Sequence, residues 1–139
     1  MYILTTLSII EFKNSKDGKR LEEMGLEKFN QLRLKKHLEP ISLIDWNKRL
    51  EGLTFERTRT VGFFRTFKAA ENVIKNNSGD ISELNYYNAA VIEKVKFGLY
   101  PIPKEEFWYL METKKEDNNY VYNYKKLDKS PFPGLICWY

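Results

Sequence analysis

The chain has 139 residues, of which 42% are hydrophobic and 15% aromatic, enough apolar side chain for a single soluble domain with its own core. Its 23 basic and 19 acidic residues give a net charge of +4, and because the two signs alternate along the chain the composition does not indicate a nucleic-acid polymer as partner. The single cysteine, Cys137, excludes an intramolecular disulfide, and with one histidine there is no Cys/His cluster of the kind that binds zinc.

Residues 2–12 are rich in Ile, Leu, Thr and Tyr, a composition typical of a central strand that is buried on both faces. The opening segment carries no basic stretch and no small-residue cleavage site, so it does not indicate a secretory signal. No run reaches the roughly 20 apolar residues that span a bilayer. We therefore expect a cytoplasmic protein with no membrane partner.

Residues 14–52 have a different pattern. The run NSKDGKR has the composition of a loop, and apolar residues among charged ones then predict a helix from about residue 21 until Pro40 stops it. A second helix is predicted from Ser42, with Trp46 on its apolar face. Strand character resumes only at Leu53. We therefore predict one domain over residues 1–139 with an inserted helical pair at about 14–52.

The stretch from residue 61 to residue 103 predicts a strand, a helix and a strand. The alternation of residues 55–64 is that of a strand, and Thr66 is suited to cap the helix that follows. Asn77 and Gly79 tolerate the left-handed conformation with which helices end. One face of the helix must be buried, because it carries apolar residues three and four positions apart: Phe67, Ala70, Val73 and Ile74.

Strands are further predicted over about 85–97, 106–113 and 119–127, separated by the turns GLYPIP and KKEDNN. Five strands with one helix after the second predict an α+β fold, in which an antiparallel sheet of about five strands carries one packed helix and the inserted helical pair.

The chain offers no motif of an activated nucleophile and no glycine-rich phosphate loop. Its paired carboxylates are sequence neighbours, which point to different sides of a strand or helix, and His37 lies near a predicted helix C-terminus, where positive charge is favoured. We therefore expect no catalytic residues, no cofactor, no metal site and no enzymatic activity.

Arginine and aromatic residues are the chemistry that the sequence does offer. Arg57, Arg59 and Arg65 flank a set of phenylalanines, and Tyr87 lies in a later predicted strand. Guanidinium groups bind phosphate oxygens in pairs and aromatic rings stack on purines, so this combination suits a nucleotide. The alternative is structural: aromatic residues of a small sheet commonly form its core, and exposed arginines commonly solvate a strand edge.

The run RTVGFFRTFKAAENVIKNNSGDISE, followed by YYNAAVIEKVKFGLYP and EFWYLMET, resembles the first-described family of phage anti-Thoeris proteins over roughly residues 53–125. The resemblance implies a sponge that captures the cyclic ADP-ribose signal of TIR-domain enzymes in the bacterial host cell and holds it without cleaving it. It implies ligand contacts at Phe64, Phe67 and Asn77, with the arginines as phosphate partners. Because some members of the family form higher oligomers and bind cyclic oligonucleotides at separate sites, the resemblance adds a second copy of the chain and cyclic oligonucleotides to the expected partners.

Two other functions fit the residues. A small hydrolase of a signalling nucleotide would use the scattered carboxylates or His37 as base. An inhibitor that acts by protein contact would use exposed aromatic anchors, for which Trp46, Trp108 and Trp138 are candidates. The nine Tyr, nine Phe and three Trp residues also exceed what a five-stranded sheet with one helix hides readily, so we expect a symmetric homo-oligomer.

Overall fold

The computed structural model describes residues 1–96 and 102–132, with side chains in the fourth strand described from residue 104 onward. The chain divides into two compact units: a smaller one of Ile9–Glu56 and a larger one of Met1–Ser8 together with Arg57–Tyr139. Among the described residues no helix is long and apolar enough to cross a membrane. The elements are β1 (Tyr2–Glu11), α1 (Lys16–Met24), α2 (Leu26–Lys35), α3 (Leu43–Glu51), β2 (Leu53–Phe64), α4 (Phe67–Lys75), β3 (Ala89–Lys96), β4 (Ile102–Glu116) and β5 (Asn119–Lys126), with a short 3-10 helix at Phe12–Asn14.

The five strands form one antiparallel sheet in the order β2-β1-β3-β4-β5, which confirms the predicted α+β fold. In the centre of the sheet Leu4 lies opposite Ile92, and Ile92 lies opposite Phe107. The predicted burial of β1 on both faces is confirmed, because consecutive residues from Ile3 to Ile9 are buried. β3 is likewise buried on both faces, as a central strand must be when both sides of the sheet are covered.

Helix α4 packs on one face of the sheet, as its periodicity predicts. The hydroxyl of Thr66 accepts a hydrogen bond from the Ala69 amide at 3.2 Å, which confirms the predicted N-cap. Ala70 and Ile74, one turn apart, are fully buried in a cluster that includes residues of β1, β3 and β4. This cluster is the core of the larger unit: Leu4, Ala70, Ile74, Ile81, Ala90, Ile92 and Tyr109.

The unit Ile9–Glu56 contains three helices rather than the predicted pair. The prediction of a loop for NSKDGKR is wrong, because the Ser15 hydroxyl accepts from the Gly18 amide at 2.9 Å and starts α1 there. The predicted single helix over 21–40 is divided by Gly25, whose φ of 78° no helix can contain. Trp46 of α3 is buried against the ring of Phe29, at 5.2 Å between centroids, so it is not an exposed interface anchor.

The later strands differ from the prediction mainly at their ends. β3 begins at Ala89 and not at residue 85, because residues 83–85 have positive φ values that a strand does not allow. β4 extends beyond the predicted 106–113 at both ends, whereas β5 ends one residue before the prediction. Most of the predicted GLYPIP turn, and the tail with Cys137 and Trp138, lie outside the described residues.

Candidate functional site

The loop that joins α4 to β3 has an unusual backbone. Three consecutive residues, Glu83, Leu84 and Asn85, have φ values of 46°, 54° and 70°, and Asn77 and Asp80 have φ values of 44° and 50°. The left-handed region is costly for most side chains and is easiest for Asn and Asp, so Leu84 is the least expected member. Such a loop needs specific hydrogen bonds to keep its shape.

Asn77 supplies several of those hydrogen bonds. Its side-chain oxygen accepts from the Ser82 amide at 3.0 Å, and its Nδ2 donates to Asp80 Oδ1 at 3.2 Å and to the Ser82 hydroxyl at 3.1 Å. The Asp80 carboxylate also accepts from the Leu84 amide. The hydrogen bond from Asn77 is the main cause that holds the pKa of Asp80 below its usual value. The predicted ligand residue Asn77 therefore holds the loop together.

Arg59 reaches this loop from β2. One terminal nitrogen donates to the Ile81 carbonyl at 2.9 Å and the other pairs with the Glu83 carboxylate. The guanidinium carbon lies 4.8 Å from the ring centroid of Tyr87, a cation–π arrangement. The Tyr87 carbonyl in turn accepts from the Tyr124 hydroxyl at 2.5 Å. Three of the predicted ligand residues, Arg59, Asn77 and Tyr87, thus come together at this loop, which we call the 77–87 loop.

Phe64 and Phe67 lie elsewhere. Both pack against the core of the larger unit, and the ring of Phe67 lies 4.6 Å from that of Phe107 and 6.0 Å from that of Tyr2. The Lys126 ammonium lies 5.1 Å from the centroids of both phenylalanine rings in that pair. Because α4 has nine residues, its length of about 13 Å separates this aromatic cluster from the 77–87 loop.

The two remaining predicted residues are both exposed, Arg57 in β2 and Arg65 just before α4. The predicted alternation of β2 holds only in part. Val61 and Phe64 both pack against the core, although strict alternation would send them to opposite faces, and Phe63 between them is 64% exposed. The alternation of β2 is therefore broken between Val61 and Phe64.

Glu71 forms a second polar network, on α4. Its carboxylate accepts from the Lys75 ammonium at 2.8 Å and from the buried Tyr109 hydroxyl at 2.5 Å. The hydrogen bond from Lys75, followed by that from Tyr109, lowers the pKa of Glu71, while burial raises the pKa of Tyr109. A carboxylate with a lowered pKa stays ionised at neutral pH and is a weak general base.

A small cleft adjoins the 77–87 loop, lined by Asn77, Ser82 and Asn85 together with Tyr122 and Tyr124 of β5. Its volume is about 20 Å³, room for roughly one water molecule. Sites for nucleotide-sized ligands usually enclose on the order of 300 Å³ or more. A nucleotide at this loop would therefore lie over the surface and not inside the cleft.

Sequence reasoning missed Glu83 and Tyr124 as members of this loop's contacts. The signal for Glu83 was weak, since the residue follows a recognisable turn but nothing in the sequence indicates three left-handed residues in succession. Tyr124 belongs to a predicted strand, and its contact with Tyr87 depends on which strands are neighbours. Within residues 1–96 and 102–132, no three His, Cys, Asp or Glu side chains converge as metal ligands would.

Comparison of the chain with protein-family models, with curated proteins and with solved structures finds no match. The resemblance to anti-Thoeris proteins, and the ligand residues that it implies, thus stay predictions. Trp108, like Trp46, is buried, so it is not the exposed anchor that a protein-contact inhibitor would need.

Proposed function

We propose that this protein binds a cyclic ADP-ribose-type signalling nucleotide of TIR-domain enzymes and sequesters it without cleavage, in the manner of the anti-Thoeris proteins it resembles. The observation that carries the proposal is the stack of Arg59 on Tyr87 beside the Asn77 amide. A guanidinium held by an aromatic ring is a pre-organised phosphate donor, since little side-chain freedom remains to be lost on binding.

The neighbouring carboxylates favour binding over hydrolysis. Asp80 and Glu71 are both engaged in several hydrogen bonds, and both have lowered pKa values. A base that activates water for attack on a nucleotide works best with a pKa near the working pH, and these groups are shifted the opposite way. A sponge needs affinity and no proton transfer, which is what these side chains offer.

The proposal includes a homo-oligomer whose subunits share the nucleotide. The cleft at the 77–87 loop is too small to enclose one, so high affinity requires a second surface to cover the ligand. Leu84, 89% exposed, and Phe63, 64% exposed, are apolar groups that association would remove from water. Cyclic oligonucleotides, expected from the resemblance, would occupy a separate site.

A retention experiment tests this function. The protein is incubated with cyclic ADP-ribose isomers, freed of unbound ligand, denatured by heat, and the released nucleotide is identified by mass spectrometry. Recovery of the intact cyclic nucleotide supports a sponge. A linear product would instead identify a hydrolase, and the absence of any retained nucleotide would contradict binding. Protein denatured before incubation is the control for non-specific retention.

An inhibitor that acts by protein contact is the second candidate, and the exposure of Leu84 is the observation that favours it. Leu84 lies in water on a left-handed turn next to the half-exposed Tyr86, and tyrosine is among the residue types that most often carry the binding energy of an interface. In that case no nucleotide of a panel would raise the melting temperature of the protein, whereas a bound nucleotide must raise it.

A further inference from the structure

Glu83 occupies a position on Arg59 that an anionic ligand would need. The Glu83 carboxylate pairs with one terminal nitrogen of the guanidinium, while the other nitrogen donates to the Ile81 carbonyl. We infer that Glu83 is an internal competitor for the nucleotide: a phosphate of the ligand replaces the Glu83 carboxylate on Arg59. This inference rests on the proposed function and adds a residue that sets the affinity and the anion selectivity of the site.

The contacts of Arg59 differ in how readily they can be exchanged. Ile81, whose carbonyl accepts from Arg59, is a buried residue, and Tyr87, whose ring lies against the guanidinium, is buried as well. The pair with Glu83 is the exposed contact, because 37% of the Arg59 side chain and 49% of the Glu83 side chain are accessible. Exposed ion pairs are weak and are screened by salt. Exchange of Glu83 thus leaves the guanidinium held in place.

A phosphate group is a better partner for this guanidinium than the carboxylate is. A diphosphate carries more negative charge than a carboxylate and offers several acceptor oxygens to the fork of guanidinium N–H donors. The tyrosine beneath Arg59 and the carbonyl of Ile81 fix the plane of that fork, so the ligand does not have to order it. A monoanionic carboxylate ligand would gain nothing over Glu83, which gives the site a preference for phosphates.

The backbone of the turn is consistent with a contact that can be given up. Glu83 begins the three successive left-handed residues, and the Leu84 that follows is 89% exposed, so little packing opposes movement at this point. Two other hydrogen bonds stabilise the turn without Arg59: the Tyr86 amide donates to the Glu83 carbonyl at 3.2 Å, and the Leu84 amide donates to Asp80. Loss of the carboxylate contact therefore does not unravel the loop.

Glu83→Gln tests the competition, because it removes the charge and keeps the size of the side chain. Calorimetric titration with two probes, inorganic pyrophosphate and cyclic ADP-ribose, compares the wild type with this variant. The control is Glu116→Gln, which makes the same charge change at an exposed end of β4. We expect Glu83→Gln to bind both probes about three to five times more tightly, the effect of removing one exposed ion pair, and the control to match the wild type.

The Arg59 background supplies the second arm. In Arg59→Gln, the further change Glu83→Gln should leave pyrophosphate affinity unaltered, because the competitor and the ligand share the removed group. Equal or weaker pyrophosphate binding by Glu83→Gln in the wild-type background, or the same gain in the control, would overturn the competitor. If the protein retains cyclic ADP-ribose but Glu83→Gln gives no gain in affinity, the sponge function is supported and the competitor role of Glu83 is contradicted. If Glu83→Gln gains affinity for pyrophosphate but the protein does not bind cyclic ADP-ribose, the competitor role is supported and the sponge function is contradicted.

Discussion

The Tyr109 hydroxyl donates a hydrogen bond to the Glu71 carboxylate at 2.5 Å, which joins β4 to α4 across 38 positions of the sequence. Tyr109 is 2% exposed, so its hydroxyl depends on this partner. The Glu71 carboxylate also accepts from Lys75, and both bonds favour its ionised form. The contact therefore ties the attachment of the helix to the ionisation of one carboxyl group.

Tyr109→Phe should lower the free energy of unfolding at pH 7 by about 1.5–3 kcal/mol, the typical value for a hydrogen bond to a charged group. The folded-state pKa of Glu71 lies below its ordinary value of 4.5. Its contribution is therefore complete above about pH 4.5 and is lost as the pH falls through the lower folded value. The variant should lose less stability than the wild type between pH 5 and pH 3, as measured by urea denaturation.

Tyr124→Phe is the matched control for that profile. The Tyr124 hydroxyl donates to the uncharged carbonyl of Tyr87. Its removal should therefore lower the free energy of unfolding without changing how steeply that free energy falls between pH 5 and pH 3. If the free energy of unfolding falls equally between pH 5 and pH 3 in Tyr109→Phe and in the wild type, the hydrogen bond from Tyr109 to Glu71 does not contribute to stability.

Gly18→Ala should destabilise the protein, although glycine-to-alanine changes inside helices usually stabilise by about 0.5–1 kcal/mol. A Cβ at Gly18 would lie 1.8 Å from the Phe12 carbonyl oxygen, so the start of α1 must move away from the 3-10 helix. We expect a loss of about 1–3 kcal/mol in the free energy of unfolding. Gly52→Ala is the control, since its nearest atom would be 3.7 Å away, and a stabilised Gly18→Ala variant would contradict the close approach.

Asn77→Gly should lower the free energy of unfolding by about 1–2 kcal/mol, because it keeps the positive φ and removes the side-chain hydrogen bonds to Ser82. Asn77→Asp should behave differently with pH. This change places a second carboxylate beside Asp80, and the repulsion between the two raises the pKa of both in the folded state. The loss of unfolding free energy relative to the wild type should therefore be small below about pH 4 and should grow as the pH rises. A deficit independent of pH in denaturation curves would contradict this geometry.

Arg57→Ala and Arg65→Ala are the sharpest tests of the predicted ligand contacts, because both side chains are exposed and their loss should change stability by less than about 0.5 kcal/mol. Each should weaken binding of cyclic ADP-ribose roughly tenfold if it contacts a phosphate, a loss of about 1.4 kcal/mol. Arg20→Ala, exposed in α1, is the control. Unaltered affinity in both variants removes these arginines from the site.

Phe67→Ala is unsuitable as a test of ligand binding, since Phe67 packs in the core and its truncation would cost about 3–5 kcal/mol of stability.

The proposed association predicts a solution mass above the 16.6 kDa of one chain. Phe63 is 64% exposed in β2, an edge strand of the sheet, so Phe63→Ser should reduce the mass without lowering the melting temperature if that face joins subunits. Light scattering over micromolar concentrations measures this. A 16.6 kDa species that still binds the nucleotide would contradict both the oligomer and the shared ligand.

Local signals accounted for most of the fold. Thr66 and the apolar spacing of α4 depend on neighbours within one or two turns, and these predictions are confirmed. The loop predicted for residues 14–20 failed because the Ser15 cap and the fit of Gly18 under the Phe12 carbonyl decide the structure there, whereas composition suggested flexibility. Tertiary contact outweighed propensity in that segment.

The candidate site was less predictable for the same reason. Asn77 was recognisable as a left-handed helix end, but its hydrogen bonds to Ser82 follow from the path of the loop. The stack of Arg59 on Tyr87 joins residues 28 positions apart in the sequence and depends on how α4 returns the chain to the sheet. Periodicity says which face a residue takes, and it does not say which distant residue meets it there.

The strand order has a consequence for synthesis of the chain. β1 is made before the other four strands, yet in the sheet it lies between β2 and β3, and Tyr2 can pair only after Lys94 has been made. At roughly 5–20 residues per second, translation leaves one edge of this apolar strand unpaired for on the order of 5–20 seconds. Segments with such β-propensity and low charge aggregate when exposed. The strand of the nascent polypeptide that most needs a chaperone is therefore β1.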